Sequence, residues 1–240
     1  MINPGPSRPG FSISPGNRGP RFGVLGSGKG SNFRALAEAW RGGTLGSEPV
    51  IVLSDIETAG ILPLAEEFGI PGQFVSPGPF RTKMAPEAEE EIVRLLRDAG
   101  VDFVVLAGFM RVIKEPLLRA FPGRILNIHP SLLPSFRGLE AWRQALEAGV
   151  PEAGCTIHLV DAGVDTGAIL GQSRVPVLPG DTAESLHARI QVAEHELYPR
   201  IIREFASQIH EQGKMKNEKG KMKRRGEQCE SDVPRGSMIR

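Results

Sequence analysis

Asn127 and His129 are the residues whose types and spacing point most directly to chemistry. They interrupt an apolar run, Ile125-Leu-Asn-Ile-His129, and a strand's period of two puts both on one face. Pro130 stops the strand at once, so the pair sits at its C-terminal end. In an open α/β sheet ligands bind at that end, where an amide donor and a titratable ring can meet a reacting atom. A lone histidine in such a strand is more often a core residue with a satisfied hydrogen bond. The amide beside it turns the balance toward function.

Two further segments carry polar groups that could serve the same site. Gly26-Ser-Gly-Lys-Gly-Ser-Asn32 follows an apolar strand and opens a helix, so its backbone N–H groups and the helix dipole suit an anion. Gly23 to Lys29 begins like a P-loop, but Gly30 stands where the Mg²⁺-binding hydroxyl belongs. The dinucleotide fingerprint fails as well, because its third glycine comes one residue early. A plain tight turn stays open beside the favoured reading, a site for one phosphate monoester. Downstream, Thr156-Ile-His-Leu-Val-Asp161 leads into a loop holding Asp161 and Asp165. A carboxylate presented there could approach His129 and favour the charged ring, a usable acid near neutrality. Asp165 taken alone is equally an ordinary turn residue, and His158 is either a supporting partner or part of the core.

The elements that must position these groups alternate. Strands are expected at 21–26, 50–54, 73–75 and 102–107, and helices at 32–40, 61–68, 87–97 and 116–120. The strand bearing Asn127 and His129 follows, then a helix over 139–148. Two successive strands at 155–160 and 168–177 come next, and a long helix from Thr182 to about Ala206 closes the set. This order predicts an α/β fold with a mostly parallel, twisted sheet, helices on both faces, and antiparallel pairing among the C-terminal strands.

Composition sets broad limits. The 240 residues, 40% hydrophobic with a net charge of +1, suit a single globular domain with irregular ends. No apolar run approaches the roughly 20 residues of a membrane span, and no signal segment opens the chain. Two cysteines, Cys155 and Cys229, make neither a disulfide framework nor a metal-ligand pattern, which fits a reducing, cytoplasmic setting. The near-zero net charge argues against general nucleic-acid affinity of the folded domain. Residues 1–19, rich in proline and glycine, are expected to be disordered, and 20–206 to form the domain. Residues 207–240 should be a basic, solvated and disordered tail, with seven cations against one glutamate between Lys214 and Arg225.

In their order along the chain, five segments resemble the folate-dependent phosphoribosylglycinamide formyltransferase family. They are Gly28-Lys-Gly-Ser-Asn32, Val104-Val-Leu-Ala-Gly-Phe-Met-Arg111, Leu126-Asn-Ile-His-Pro-Ser-Leu-Leu-Pro134, Asp161 to Thr166, and Gln191-Val-Ala-Glu-His195. The resemblance covers about residues 20–206. It implies a formyltransferase-like fold in which glycinamide ribonucleotide and 10-formyltetrahydrofolate, a co-substrate, meet above the sheet, with no metal and no tightly bound cofactor. It further implies that Gly30, Ser31 and Asn32 hold the ribonucleotide phosphate, and that Gln191 and Glu194 contact the ribonucleotide. Met110, Arg111, Val112 and Ile113 would lie along the folate, with Asp161 across the pocket and a basic residue, Lys83 or Arg81, near the folate tail. Asn127 and protonated His129 would stabilise the oxyanion of a tetrahedral intermediate, with Asp165 keeping the ring charged. A homodimer is compatible with the resemblance.

This chain departs from the family at Lys29, in the loop Phe80–Pro86 and in its basic tail. The alternatives divide by chemistry. A formyltetrahydrofolate hydrolase would keep the same three polar residues, and a methionyl-tRNA formyltransferase would need a tRNA-binding domain that the stretch after Ala206 is too short to form. A nucleotide-binding switch would require Mg²⁺-dependent ATP or GTP binding, and a binding module would take RNA through its basic tail.

Overall fold

The computed structural model describes residues 19–231, and side chains as far as residue 215. The expectations for residues 1–18 and 232–240 lie outside the described residues. Strands β1 (Arg21–Leu25), β2 (Glu48–Ser54), β3 (Gly72–Phe74), β4 (Phe103–Leu106) and β5 (Ile125–His129) alternate with helices. These are α1 (Ser31–Arg41), α2 (Ile61–Glu67), α3 (Pro86–Asp98) and α4 (Glu115–Ala120). After β5 come α5 (Ala141–Glu147), β6 (Glu152–Leu159), β7 (Ile169–Pro176) and α6 (Ala183–Ser231). One seven-stranded sheet results, in the order β3-β2-β1-β4-β5-β6-β7. The pairs from β3 to β5 are parallel, whereas β5 with β6 and β6 with β7 are antiparallel. The expected fold class is therefore observed.

The near-continuous apolar strands are explained by burial on both sides. Phe22, Val24, Val52, Phe103, Val105, Leu126 and Ile128 join one core cluster, which takes Phe33 and Leu36 from α1 and Leu197, Tyr198 and Ile201 from α6. Alternate residues, Leu25, Leu53, Val104, Leu106 and Ile125, join a second cluster with Ile92 and Leu96 of α3 and Leu117 of α4. Ile125 lies in the α3–α4 cluster, so Asn127 and His129 point to that face of the sheet. Tyr198 is fully buried, and its hydroxyl donates to the Leu106 carbonyl (2.9 Å), with the Leu126 carbonyl also facing it at 3.3 Å. α6 is thereby tied to the ends of β4 and β5.

Two elements differ from expectation. α5 starts at Ala141, two residues late, because Glu140 adopts a left-handed backbone (φ 51°) that cannot extend a helix toward Leu139. α6 runs beyond Ala206 to Ser231. The stretch added is rich in lysine, glutamate and glutamine, good helix formers that outweigh Gly213, Gly220 and Gly226.

The chain order turns at β1, which has β2 on one side and β4 on the other. This is the topological switch point of a doubly wound sheet, where a crevice opens at the strands' C-terminal edge. The turns after β1 and β4 flank it, and β5 adds its end alongside.

Candidate active site

At the end of β5 three polar side chains converge with a fourth. His129, with a side chain 7% exposed, places Nδ1 3.4 Å from Asp165 Oδ2. Its Nε2 lies 2.9 Å from the Phe136 carbonyl oxygen. Both ring nitrogens thus face oxygen acceptors, an arrangement fully satisfied only by the imidazolium. Asn127 pairs across the β5–β6 ladder with His158, and its Nδ2 stands 3.2 Å from His158 Nε2. His158 Nδ1 faces the Leu159 carbonyl oxygen at 2.8 Å, while Asp165 Oδ1 is 3.6 Å from Nε2. With Nδ1 donating to the Leu159 carbonyl, Nε2 is free to accept the Asn127 amide. His158 is a supporting partner of the cluster as well as a buried residue.

Asp165 reaches these rings because the β6–β7 connection presents it with φ 53°, a left-handed backbone that aspartate tolerates better than most residues. The Gly138 N–H donates to its Oδ2 at 3.0 Å. Burial alone would push its carboxyl up. The neighbouring His158 ring, the Gly138 N–H and the nearby His129 outweigh that and hold it below the usual carboxylate value. Asp161 does different work: its Oδ1 accepts the Gly163 N–H (3.0 Å) and the Thr166 hydroxyl (2.6 Å), which shapes the loop that carries Asp165. Thr156, opposite His129, donates to the Ser131 carbonyl (2.7 Å) and accepts the Leu133 N–H (3.0 Å), fixing the turn after β5.

The glycine turn lies across the crevice. Gly30 (φ 82°) precedes α1, whose first turn has no side-chain cap, so its N–H groups remain available to an anion. A Cβ at Gly30 would press to 3.1 Å from the Ile61 Cα, so glycine is required there for room as well as for backbone. A cleft of about 550 Å³ opens beside the turn, lined by Lys29, Gly30, Ser31, Arg34 and His195 among others. Asn32 is buried and donates through Nδ2 to Glu194 Oε2 (2.8 Å). Burial pushes the Glu194 carboxyl up to about 7, against the lowering effect of Asn32. Gln191, one turn earlier on α6, is half-buried.

Between these two regions runs the segment after β4. Met110 is 59% exposed, whereas Ile113 is buried in the α3–α4 core, so only its backbone can face a ligand. Val112 bridges to Lys83, and its N–H donates to the Thr82 carbonyl. Lys83 and Arg81 therefore both neighbour this segment; the Lys83 ammonium lies 4.4 Å from the centre of the Phe80 ring. Arg111 turns its guanidinium inward, with Nε 2.7 Å from Asp55 Oδ2 and Nη1 on the carbonyls of Phe80 and Arg81. Ser27 completes this network by donating to Asp55 Oδ1 and accepting the Met110 N–H. Sequence reasoning missed Ser27 and Asp55. Asp55 carries the same signal as Asn127, a polar group closing an apolar strand, whereas the Phe136 carbonyl leaves no trace in residue type.

Together the geometry offers an amide, an imidazole ring flanked by a carboxylate, and an open helix start for an anion, all at one sheet edge. Among the described residues no group of three or more His, Cys, Asp or Glu side chains could hold a metal ion, and no helix is long and apolar enough to cross a membrane.

Comparison with known proteins gives consistent matches. The family described as "Formyl transferase" matches residues 20–202. The "Trifunctional purine biosynthetic protein adenosine-3" of Drosophila pseudoobscura pseudoobscura is 49% identical over 189 residues, which is 78% of this chain and 14% of that protein. The chain thus spans about a seventh of that relative's length. The "Phosphoribosylglycinamide formyltransferase" of Bacillus subtilis is 40% identical over 77% of this chain and 94% of its own length. The crystal structure of glycinamide ribonucleotide transformylase 1 from Symbiobacterium toebii superposes with a TM-score of 0.76 at 47% identity, covering 79% of this chain and 89% of that one.

Proposed function

The chain belongs to the formyl transferase family, and from that premise we propose that it moves the formyl group of 10-formyltetrahydrofolate to the amine of glycinamide ribonucleotide, the third step of de novo purine synthesis. The observation that carries this reading is the meeting of Asn127, His129 and Asp165 at the end of β5. The names of the B. subtilis and S. toebii relatives support the same substrate pair. The reaction so read takes place in the cytoplasm and uses the folate as co-substrate.

In this reaction the glycinamide amine attacks the formyl carbon, and the carbonyl oxygen becomes an oxyanion in a tetrahedral intermediate. Asn127 and charged His129 donate to it, and pre-set donors of this kind are among the largest contributions an active site makes. The formyl oxygen displaces the Phe136 carbonyl from His129 Nε2, while Asp165 keeps Nδ1. The intermediate collapses by breaking the bond from carbon to the folate nitrogen N10. One proton leaves the former amine and one reaches N10, with His129 or a held water as relay. Gly30, Ser31 and Asn32 bind the ribonucleotide phosphate, with Gln191 and Glu194 beside the ribose. The backbone from Met110 to Ile113 lines the folate, Asp161 shapes the far wall, and Lys83 or Arg81 meets the tail. Residues 20–206 suffice as the catalytic unit.

The test is a direct assay of the purified protein, following tetrahydrofolate release from 10-formyltetrahydrofolate with and without glycinamide ribonucleotide. Ribonucleotide-dependent release is expected. Release of tetrahydrofolate and formate without it would make the protein a hydrolase, and no release in either case would overturn the reading.

A further inference from the structure

We infer that Asp55 is a positioning residue that locks the segment after β4 to the turn after β1, so that one buried carboxylate sets the folate-side strip; this rests on the assignment of that segment proposed above. Asp55 follows the last residue of β2 and is 4% exposed. One of its oxygens accepts the Ser27 hydroxyl, in the glycine turn, and the other accepts Arg111 Nε at 2.7 Å. Ser27 also grips the folate-side segment at two backbone points: its N–H donates to the Gly108 carbonyl (3.0 Å) and its Oγ accepts the Met110 N–H (2.9 Å). Arg111 Nη1 extends the same network to the carbonyls of Phe80 (2.6 Å) and Arg81 (2.8 Å). The turn after β1 and the segment after β4 thus meet on the Asp55 side chain, and Arg111 carries the tie on to the Phe80–Arg81 loop. At the far end of the segment, buried Glu89 of α3 accepts the Lys114 N–H at 3.0 Å, so the strip that would face the folate is held at both ends.

A buried ion pair is a poor way to gain stability, because removing both charges from water offsets most of their attraction. What it supplies is geometry. Asp55 directly follows β2 and Arg111 lies a few residues after β4, so both stand at the C-terminal edge of the parallel strands. The carboxylate is needed for its two acceptor oxygens: an asparagine fits the same space but puts an NH₂ donor where one oxygen stood, so the Ser27 hydroxyl or the Arg111 guanidinium loses the acceptor it now has. Arg111 acts here as a tie for the loops, with its charge already met by Asp55.

The experiment compares wild type, Asp55→Asn, Ser27→Ala and the double variant by anaerobic calorimetric titration with tetrahydrofolate, alongside KM, kcat and thermal midpoint. Asp55→Asn is expected to weaken tetrahydrofolate binding and raise the KM for 10-formyltetrahydrofolate about tenfold, the scale of one lost charged hydrogen bond, with a smaller change in kcat. Ser27→Ala should act in the same direction, and the double variant should be no worse than the more affected single one, because both cut one clamp. If Asp55→Asn does not fold, Ser27→Ala carries the test alone. Folded variants with unchanged folate affinity, or effects that add independently, overturn the inference. Wild-type protein that fails to bind tetrahydrofolate overturns the functional reading and this inference with it.

Discussion

At the scale of single residues, the site depends on which hydrogen-bonding groups point at one spot. Asn127 was legible because an amide inside an apolar strand has few bland explanations, and His129 gained meaning from standing two residues on. Asp165 was legible only as a carboxylate in a loop; its 3.4 Å approach to His129 depends on a left-handed backbone that residue type does not announce. His158 could have been core or partner from its alternation alone, and it is both. These groups give a direct expectation. His129→Ala and Asn127→Ala should each lower kcat about a hundredfold or more while ribonucleotide binding, measured by calorimetry, stays close to that of wild type. A variant of nearly normal rate would remove that residue from the chemistry.

At the scale of elements, the long helix α6 connects the two ends of the problem. Its first half brings Glu194 under Asn32 and Tyr198 under β4 and β5. Tyr198→Phe leaves the Leu106 carbonyl without this donor in a fully buried place, and should cost about 1 kcal/mol in denaturant unfolding. A larger loss would mean that the hydroxyl also orders the ends of those strands. The later half of α6 has a different relation to the fold. Ile209 still packs against the core, whereas Glu211 to Met215 are exposed. Removing residues 216–240 is therefore expected to leave turnover within about twofold of the full chain and the far-ultraviolet spectrum short only of helix. Sharp loss of activity on truncation would give the extension a role in the site. The apolar pattern fades near Ala206, where the sequence places the helix end; helix propensity continues after the pattern stops, and the two signals part company.

At the scale of the whole molecule, buried charge shapes stability against pH. Glu194 lies in the core with its carboxyl pushed up to about 7 from the ordinary 4.5. The folded state then binds a proton that the unfolded chain has released, so this contribution is fully present below 4.5 and is lost as pH rises through about 7. Thermal midpoints of wild type should fall between about pH 5 and 8 more steeply than those of Glu194→Gln, which keeps an acceptor for Asn32 without a titrating group. Parallel curves would show that Glu194 is not titrating in this range. The fold itself was readable from alternation and from apolar runs such as Phe103–Leu106, because an element's period and burial are local properties of the chain. The sequence by itself therefore determined the α/β class, the polar pair at the end of β5, the glycine turn that opens α1 and the family resemblance. Tertiary structure alone decided that Asp165 meets His129, that His158 stands opposite Asn127, that Arg111 turns inward to Asp55, and that Phe136 lends a backbone oxygen to the ring. All but the last of those contacts join segments far apart in the chain, and the geometry of all four is set by strand register and loop backbone, neither of which a residue's type encodes.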